Sequence, residues 1–334
     1  MNEVKQLIAN IREGRLAPFY LLMGEETYYI DKISEYIAEN VLSEEERGFN
    51  QVVLYGKDVG VADIISQAKR FPMMAEHQVV IVREAQHLSR NMEKFLPYVE
   101  NMQPSTILVL CYKYKSIDRR KKLAKKITEH GGVVFESKKL YENQVADWIR
   151  KVLLGSGYKI SHKAAALLVE YLGTDLSRIS NELEKLKIIL PKGSEIDPGH
   201  IEQHIGISKD YNNFELKKAI ATRDIPKATR IIKYFSENPR ENPFVVTVAL
   251  LHNFFTQVLQ YHGLSDHSPK NVANALRINP YFVGEYQDAA RNYPMKRVSR
   301  IVSTLREMDL KSKGVGATAL NPQDLLRELL FKIV

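Results

Sequence analysis

Five short apolar runs, at residues 19–23, 51–55, 78–82, 106–112 and 133–136, punctuate the first part of the chain, and the segments between them carry apolar side chains at helical spacing. Ile30, Ile33, Ile37 and Val41 recur every three or four positions after the first run, and Val61, Ile64, Ile65 and Ala68 do so before the third. Strand-length runs alternating with amphipathic helices predict a parallel sheet, because parallel neighbours cannot be joined by a hairpin and need crossover helices. After about Leu140 the strand signal stops, and helical periodicity continues to the C-terminus. The expected fold is therefore α/β followed by all-α.

The helical part divides again. Trp148, Val152, Leu167, Leu168, Leu172, Ile179, Leu183 and Leu186 fit a small bundle, ended by Pro191-Lys192-Gly193-Ser194 and a short helix at 198–205. A boundary is expected near 208–213, and beyond it helices are predicted at 214–221, 226–235, 243–261, 269–276, 280–290, 295–310 and 322–333. Several carry Pro in the first turn, where its missing N–H is harmless. The expected domains are 1–139, 140–210 and 211–334. Residues 311–316, which include Lys311, Lys313 and two glycines, read as a basic loop.

A length of 334 residues, 44% hydrophobic and 26% charged, suits two or three globular domains. No apolar stretch reads as long enough to span a bilayer, and the N-terminus lacks a basic-then-apolar leader, so the expected location is cytoplasmic, with no membrane partner. Cys111 lies in a strand-like run and reads as a buried, inert thiol. The net charge of +8 favours acidic partners, nucleic acid first. Basic residues are densest at 113–126, where Arg119, Arg120, Lys121 and Lys122 are consecutive; taken alone, this is a solvated helix face before it is a phosphate-binding strip.

The first apolar run breaks at Gly24-Glu25-Glu26-Thr27-Tyr28 into an amphipathic segment, the strand-turn-helix layout on which nucleotide phosphates sit. A cradle of the G-x-x-x-x-G-K-S/T kind needs its Lys for the β/γ-phosphates and its Ser/Thr for magnesium. Here two glutamates occupy the turn, complement the helix dipole themselves and repel a triphosphate. The third run ends in Arg83-Glu84, where a nucleotide-hydrolysing sheet would place a magnesium-holding aspartate. His200 and His204 share a helix face, but Glu202 between them points elsewhere, so this is a helix surface rather than a metal pair. Lys69-Arg70-Phe71-Pro72-Met73-Met74-Ala75-Glu76 is unusual for a loop. Pro72 should end the helix before it, and two flexible thioether side chains follow an aromatic between charges. Either Phe71 and Met73 cap the sheet's core, or the segment protrudes as an apolar plug for a pocket on a partner.

Residues 18–26, 71–83 and 118–123, the lid-type run 173–186 and Ile278-Asn279-Pro280-Tyr281 together resemble the delta subunit of the bacterial DNA polymerase III clamp loader, over nearly the whole chain. The resemblance implies an AAA+-like fold: a degenerate P-loop-like parallel sheet domain, a small helical lid and a C-terminal helical collar for oligomerisation. It implies no intrinsic catalysis and no cofactor, within a DNA-directed DNA polymerase (nucleotidyltransferase) holoenzyme. It implies binding to the ring-shaped sliding clamp (beta subunit), which the subunit opens or holds open. Partners would be the gamma/tau and delta prime subunits and primer-template DNA, with no obligate homo-oligomer. Two adjacent apolar residues that enter the clamp's pocket in the family align with Met73 and Met74, where Leu or Phe is often found. Phe71 and Pro72 would then stiffen the plug, and Lys69 and Arg70 would steer it to an acidic rim. Arg119, Arg120, Lys121 and Lys122, or Lys311 and Lys313, would contact DNA phosphates. The rival readings are an active AAA+ or P-loop ATPase with an atypical phosphate loop, and a helical nucleic-acid-binding adaptor.

Overall fold

The computed structural model describes residues 2–206, 208, 210–315 and 322–334, without the side chains of Asn2, Pro322 and Gln323. It falls into two compact units, Met1–Leu140 and Tyr141–Val334.

The first unit runs α1 (Asn2–Arg12), β1 (Phe19–Gly24), α2 (Thr27–Asn40), α3 (Glu44–Asn50), β2 (Gln51–Tyr55), α4 (Val61–Ala68), β3 (Gln78–Arg83), a 3-10 helix (Ala85–Phe95), α5 (Leu96–Val99), β4 (Thr106–Lys113), α6 (Lys122–Glu129) and β5 (Val133–Ser137). Its five strands lie in the order β2-β3-β4-β1-β5, and every neighbouring pair is parallel. Period-two alternation divides β1, β3, β4 and β5 between two cores. Phe19, Leu21, Met23, Val80, Val82, Leu108 and Leu110 face Ile64 of α4, the 3-10 helix and Ile127 of α6. Tyr20, Leu22, Val79, Ile81, Ile107, Val109 and Cys111 face Ile11 of α1 and Ile30, Ile33 and Ile37 of α2. Covering on both faces explains why these strands read as unbroken apolar runs. Strand β2 stands at the sheet's edge, with Val53 and Tyr55 exposed.

The second unit opens with α7 (Glu142–Gly155), β6 (Lys159–Ile160), α8 (His162–Leu172), α9 (Leu176–Ile189), β7 (Glu195–Ile196) and α10 (Pro198–Ile205). The expected absence of strands beyond Leu140 needs correction, because β6 and β7 form a parallel ladder that pairs Lys159 with Glu195 and Ile160 with Ile196. Two-residue strands leave no periodicity to detect. Then follow α11 (Asn213–Ala221), α12 (Ile225–Glu237), α13 (Phe244–His262), α14 (Pro269–Leu276), a 3-10 turn (Pro280–Phe282), α15 (Val283–Asn292), α16 (Met295–Ser312) and α17 (Pro322–Ile333). Asp175, Asp197, Asn212 and Asp224 cap the helices they precede, each accepting a backbone N–H of the first turn.

Two further expectations change. Helix α13 does reach the length and mean hydropathy of a membrane-spanning segment. Its Val248, Leu251, Phe254, Phe255 and Val258 nevertheless belong to the helical core, packed with Ile301 and Leu305 of α16. The basic loop at 311–316 begins later than expected, since Lys311 and Ser312 are the last residues of α16; Gly316 lies outside the described residues.

Candidate functional site

Between β1 and α2 the chain has room for Glu25 and Glu26 only. Glu26 is buried, and its carboxylate accepts the Tyr28 backbone N–H at 3.0 Å. The helix N-terminus that would receive a phosphate is therefore capped by the chain itself. Gly24 has φ 133°, and a Cβ there would stand 2.0 Å from the Ser137 carbonyl oxygen, so the turn is pressed against the end of β5. Beside it, Lys113 at the end of β4 pairs with Asp31 of α2 at 2.6 Å. Arg83 ends β3 exposed, and Glu84 turns the chain through a left-handed φ of 54°. Among the described residues no group of three or more His, Cys, Asp or Glu could hold a metal. His200 is engaged in its own helix cap, its Nδ1 accepting the Asp197 N–H at 3.2 Å. Cys111 is buried, which pushes its thiol up to about 11 and makes it inert at neutral pH.

The segment between α4 and β3 is built differently. Helix α4 ends at Ala68, four residues before the Pro72 expected to end it. Its end is fastened to the sheet: Thr106 Oγ1 donates to the Ala68 carbonyl at 2.8 Å, and buried Gln78 donates through Nε2 to Ala68 O at 3.3 Å and also to Arg70 O. Lys69 and Arg70 are exposed. Phe71 is 78% exposed, Met73 61% and Met74 fully exposed at 102%. The core-capping alternative for Phe71 and Met73 is thereby excluded. Phe71 adds to the apolar surface rather than bracing it; Pro72 is half-buried. Met74 has φ 54°, a left-handed conformation uncommon for a bulky side chain and a sign of local constraint.

The bracing comes from a residue that the sequence did not single out. Asn50, at the end of α3 and 3% exposed, accepts the Met73 N–H at 2.6 Å through Oδ1 and donates Nδ2 to the Met73 carbonyl at 2.9 Å. The signal available was a polar residue directly before a strand, which is too common to stand out. Phe49, its neighbour in the chain, is also exposed.

The basic candidates separate by partner. Arg119 pairs with Glu136 at 3.5 Å. Arg120 hydrogen-bonds Asp118 and holds that carboxyl down at about 2. Lys121 and Lys122 are exposed at the start of α6, with no ion pair among the described residues. Lys311 pairs with Glu328 at 3.1 Å, a carboxylate that it shares with Lys332, and Lys313 pairs with Asp309 at 2.7 Å, so both expected loop cations already have an acidic partner.

A cleft of about 210 Å³ in the helical unit is lined by Glu170, Asn213, Lys217, Arg277 and Tyr286 among others. Lys217 lies 3.3 Å from Glu285, with its ammonium 5.0 Å from the Phe214 ring and 5.6 Å from that of Phe282. Burial works against its charge, but Tyr286, Glu285 and Glu170 outweigh it, and its pKa lies above the ordinary value. Burial pushes Glu170 up to about 7, against the pull of Lys217 and the Phe214 N–H.

A five-stranded parallel sheet covered by helices on both faces and followed by a mainly helical region defines a protein that is α/β in its first unit and helical in its second. The family model for "DNA polymerase III, delta subunit" matches residues 20–137, and that for its C-terminal domain matches 210–331; the chain belongs to this family. A DNA polymerase III subunit delta from Bacillus subtilis (strain 168) is 27% identical over 96% of this chain and 94% of its own. A solved Bacillus subtilis DNA clamp loader delta protein is 26% identical, with 99% of each chain covered and a TM-score of 0.61.

Proposed function

We propose that this clamp loader delta subunit binds the sliding clamp through Met73 and Met74 and stabilises an opened ring, while hydrolysing no ATP itself. The observation that carries the proposal is the exposure of both thioether side chains, with Phe71, on a segment anchored at Met73 by a buried amide. Exposed apolar side chains on a constrained backbone supply a hot spot at low ordering cost, and Lys69 and Arg70 give it a charged rim. An anchor favours the open ring only by binding that state more tightly than the closed one. The two-residue turn at Glu25 and Glu26 supports the non-hydrolysing part and leaves the ATPase rival no loop with which to wrap a triphosphate. On this reading residues 1–139 hold the clamp, 140–210 form a lid, and 211–334 form the collar that joins the gamma/tau and delta prime subunits in the cytoplasm. Lys121 and Lys122 are the best placed cations for primer-template phosphates.

The test is clamp affinity of the full chain. Met73→Ser/Met74→Ser should weaken binding about 30-fold or more, the scale of a lost hot spot of about 2 kcal/mol. Unchanged affinity, or saturable hydrolysis of ATP by the purified wild-type chain, would refute the proposal.

A further inference from the structure

Residues 71–77 carry three large exposed apolar side chains, yet among the described residues their backbone makes no hydrogen bond except at Met73. Both of those bonds go to the Asn50 side chain. That amide is buried, and its Nδ2 also donates to the Glu46 carbonyl of its own helix at 3.1 Å. Its donor and acceptor are thus both used on the Met73 backbone, as a neighbouring strand would use them, while α3 holds the amide in place. The next residue, Met74, carries the left-handed φ.

We infer that Asn50 is a positioning residue for the clamp anchor: its amide clips the Met73 backbone and so sets the directions in which Met73 and Met74 project before the clamp arrives. The inference rests on the reading that these two methionines bind the clamp. Without the clip, residues 71–77 sample conformations that the clamp must then select and order, and apparent affinity falls in proportion to the fraction that remains competent. Two net hydrogen bonds set that fraction, which corresponds to a loss of about 5- to 150-fold. The side chains that touch the clamp are unaltered.

The experiment measures clamp affinity of the full chain for Asn50→Ala, Asn50→Asp, Met73→Ser/Met74→Ser and Asn50→Ala combined with both methionine changes. Asn50→Ala should weaken binding within the stated range and speed hydrogen exchange at the Met73 amide. In the Met73→Ser/Met74→Ser background the same change should cost markedly less, because what binding remains there no longer needs the anchor's conformation. Asn50→Asp keeps the size and the acceptor but removes the donor to the Met73 carbonyl, so it should weaken binding as well, and it decides the matter if Asn50→Ala does not fold. Wild-type affinity in either Asn50 variant, or an equal loss with and without the two methionines, overturns the inference. Wild-type affinity in the methionine variants overturns the underlying reading instead, and the two failures are told apart by which variant stays tight.

Discussion

Replacing Glu170 by Gln should remove a pH dependence from the helical unit and stabilise that unit above neutral pH. Glu170 lies on α8 in the cleft beside Lys217, and burial raises its carboxyl from 4.5 to about 7. In the unfolded chain the proton leaves near 4.5, whereas in the folded chain it stays until about 7. Between those values unfolding releases a proton, so stability falls as pH rises through the window. A displacement of about 2.5 units at 1.36 kcal/mol each sets an upper bound of about 3 kcal/mol. Glu285 is raised as well and faces the same ammonium, so the proton belongs to the Glu170–Glu285–Lys217 cluster and the measured effect should lie below that bound.

Pairing with Lys217 does not reverse the sign. The raised value already means that desolvating the carboxylate costs more than the ammonium returns. Glu170→Gln keeps the shape of the neutral acid, so the two proteins should be equally stable near pH 4.5, with the variant ahead by up to about 3 kcal/mol at pH 8. Urea unfolding between these pH values reads the difference. The chain's single tryptophan, Trp148 on α7, is buried in the same unit and reports its unfolding without reference to the sheet. A stability difference that stays flat with pH, or a variant less stable than wild type at pH 8, would refute the assignment. Glu215 does not confuse the result: burial raises its carboxyl, but Lys163 and Lys227 hold it below the ordinary value, and its contribution is lost only as pH falls below the window.

Two other outcomes are expected. Gly24→Ala should cost more than about 3 kcal/mol in the sheet unit, because the new Cβ meets the β5 backbone rather than a movable side chain and the φ disfavours any L residue; a loss under about 0.5 kcal/mol in denaturant unfolding would show that the turn relaxes freely. Lys121→Glu/Lys122→Glu in the assembled loader should flatten the salt dependence of binding to primed DNA, lowering the log–log slope by about 1 for each phosphate that is no longer neutralised. An unchanged slope would place the DNA-binding cations elsewhere.

What the sequence conveyed follows from the range of each interaction. Strands β1, β3 and β4 were legible because burial on two faces makes each an apolar run of strand length, and β2 and β5, less buried, still carry apolar residues in short runs. The ladder of β6 and β7 has too few residues to produce a pattern. Glycines at 314 and 316 drew the expected loop back to Lys311, although the helix continues through Ser312. For Phe71 and Met73 composition favoured a core cap over a plug, and the fold overturns that preference, since composition carries no information on which way a loop faces. Asn50 and Met73, and likewise Glu170 and Lys217, meet only through tertiary structure, and no local spacing announces either pair. The same holds for the cations. Arg119 and Lys311 look as available in sequence as Lys121 and Lys122, and only the fold reveals the carboxylates that pair with them, whereas the partners of Arg120 and Lys313 lie two and four residues away.

The parallel sheet also separates the turn after β1 from the segment proposed to hold the clamp. In a sheet whose strands all run one way, everything that follows a strand lies at one edge and everything that precedes a strand lies at the other. The closed turn after β1, Arg83 and Glu84 after β3, and Lys113 at the end of β4 share the carboxyl edge, where ligands of open α/β sheets bind. Asn50 directly precedes β2, residues 71–77 precede β3, and the Gln78 and Thr106 side chains that fasten α4 begin β3 and β4, so the whole support of the proposed anchor sits at the amino edge. Changes at the carboxyl edge that shorten a loop or replace a lysine leave those hydrogen bonds untouched. On the proposed reading, what the anchor needs from the sheet is stiffness, which comes from the two covered faces and not from the loops at the far end.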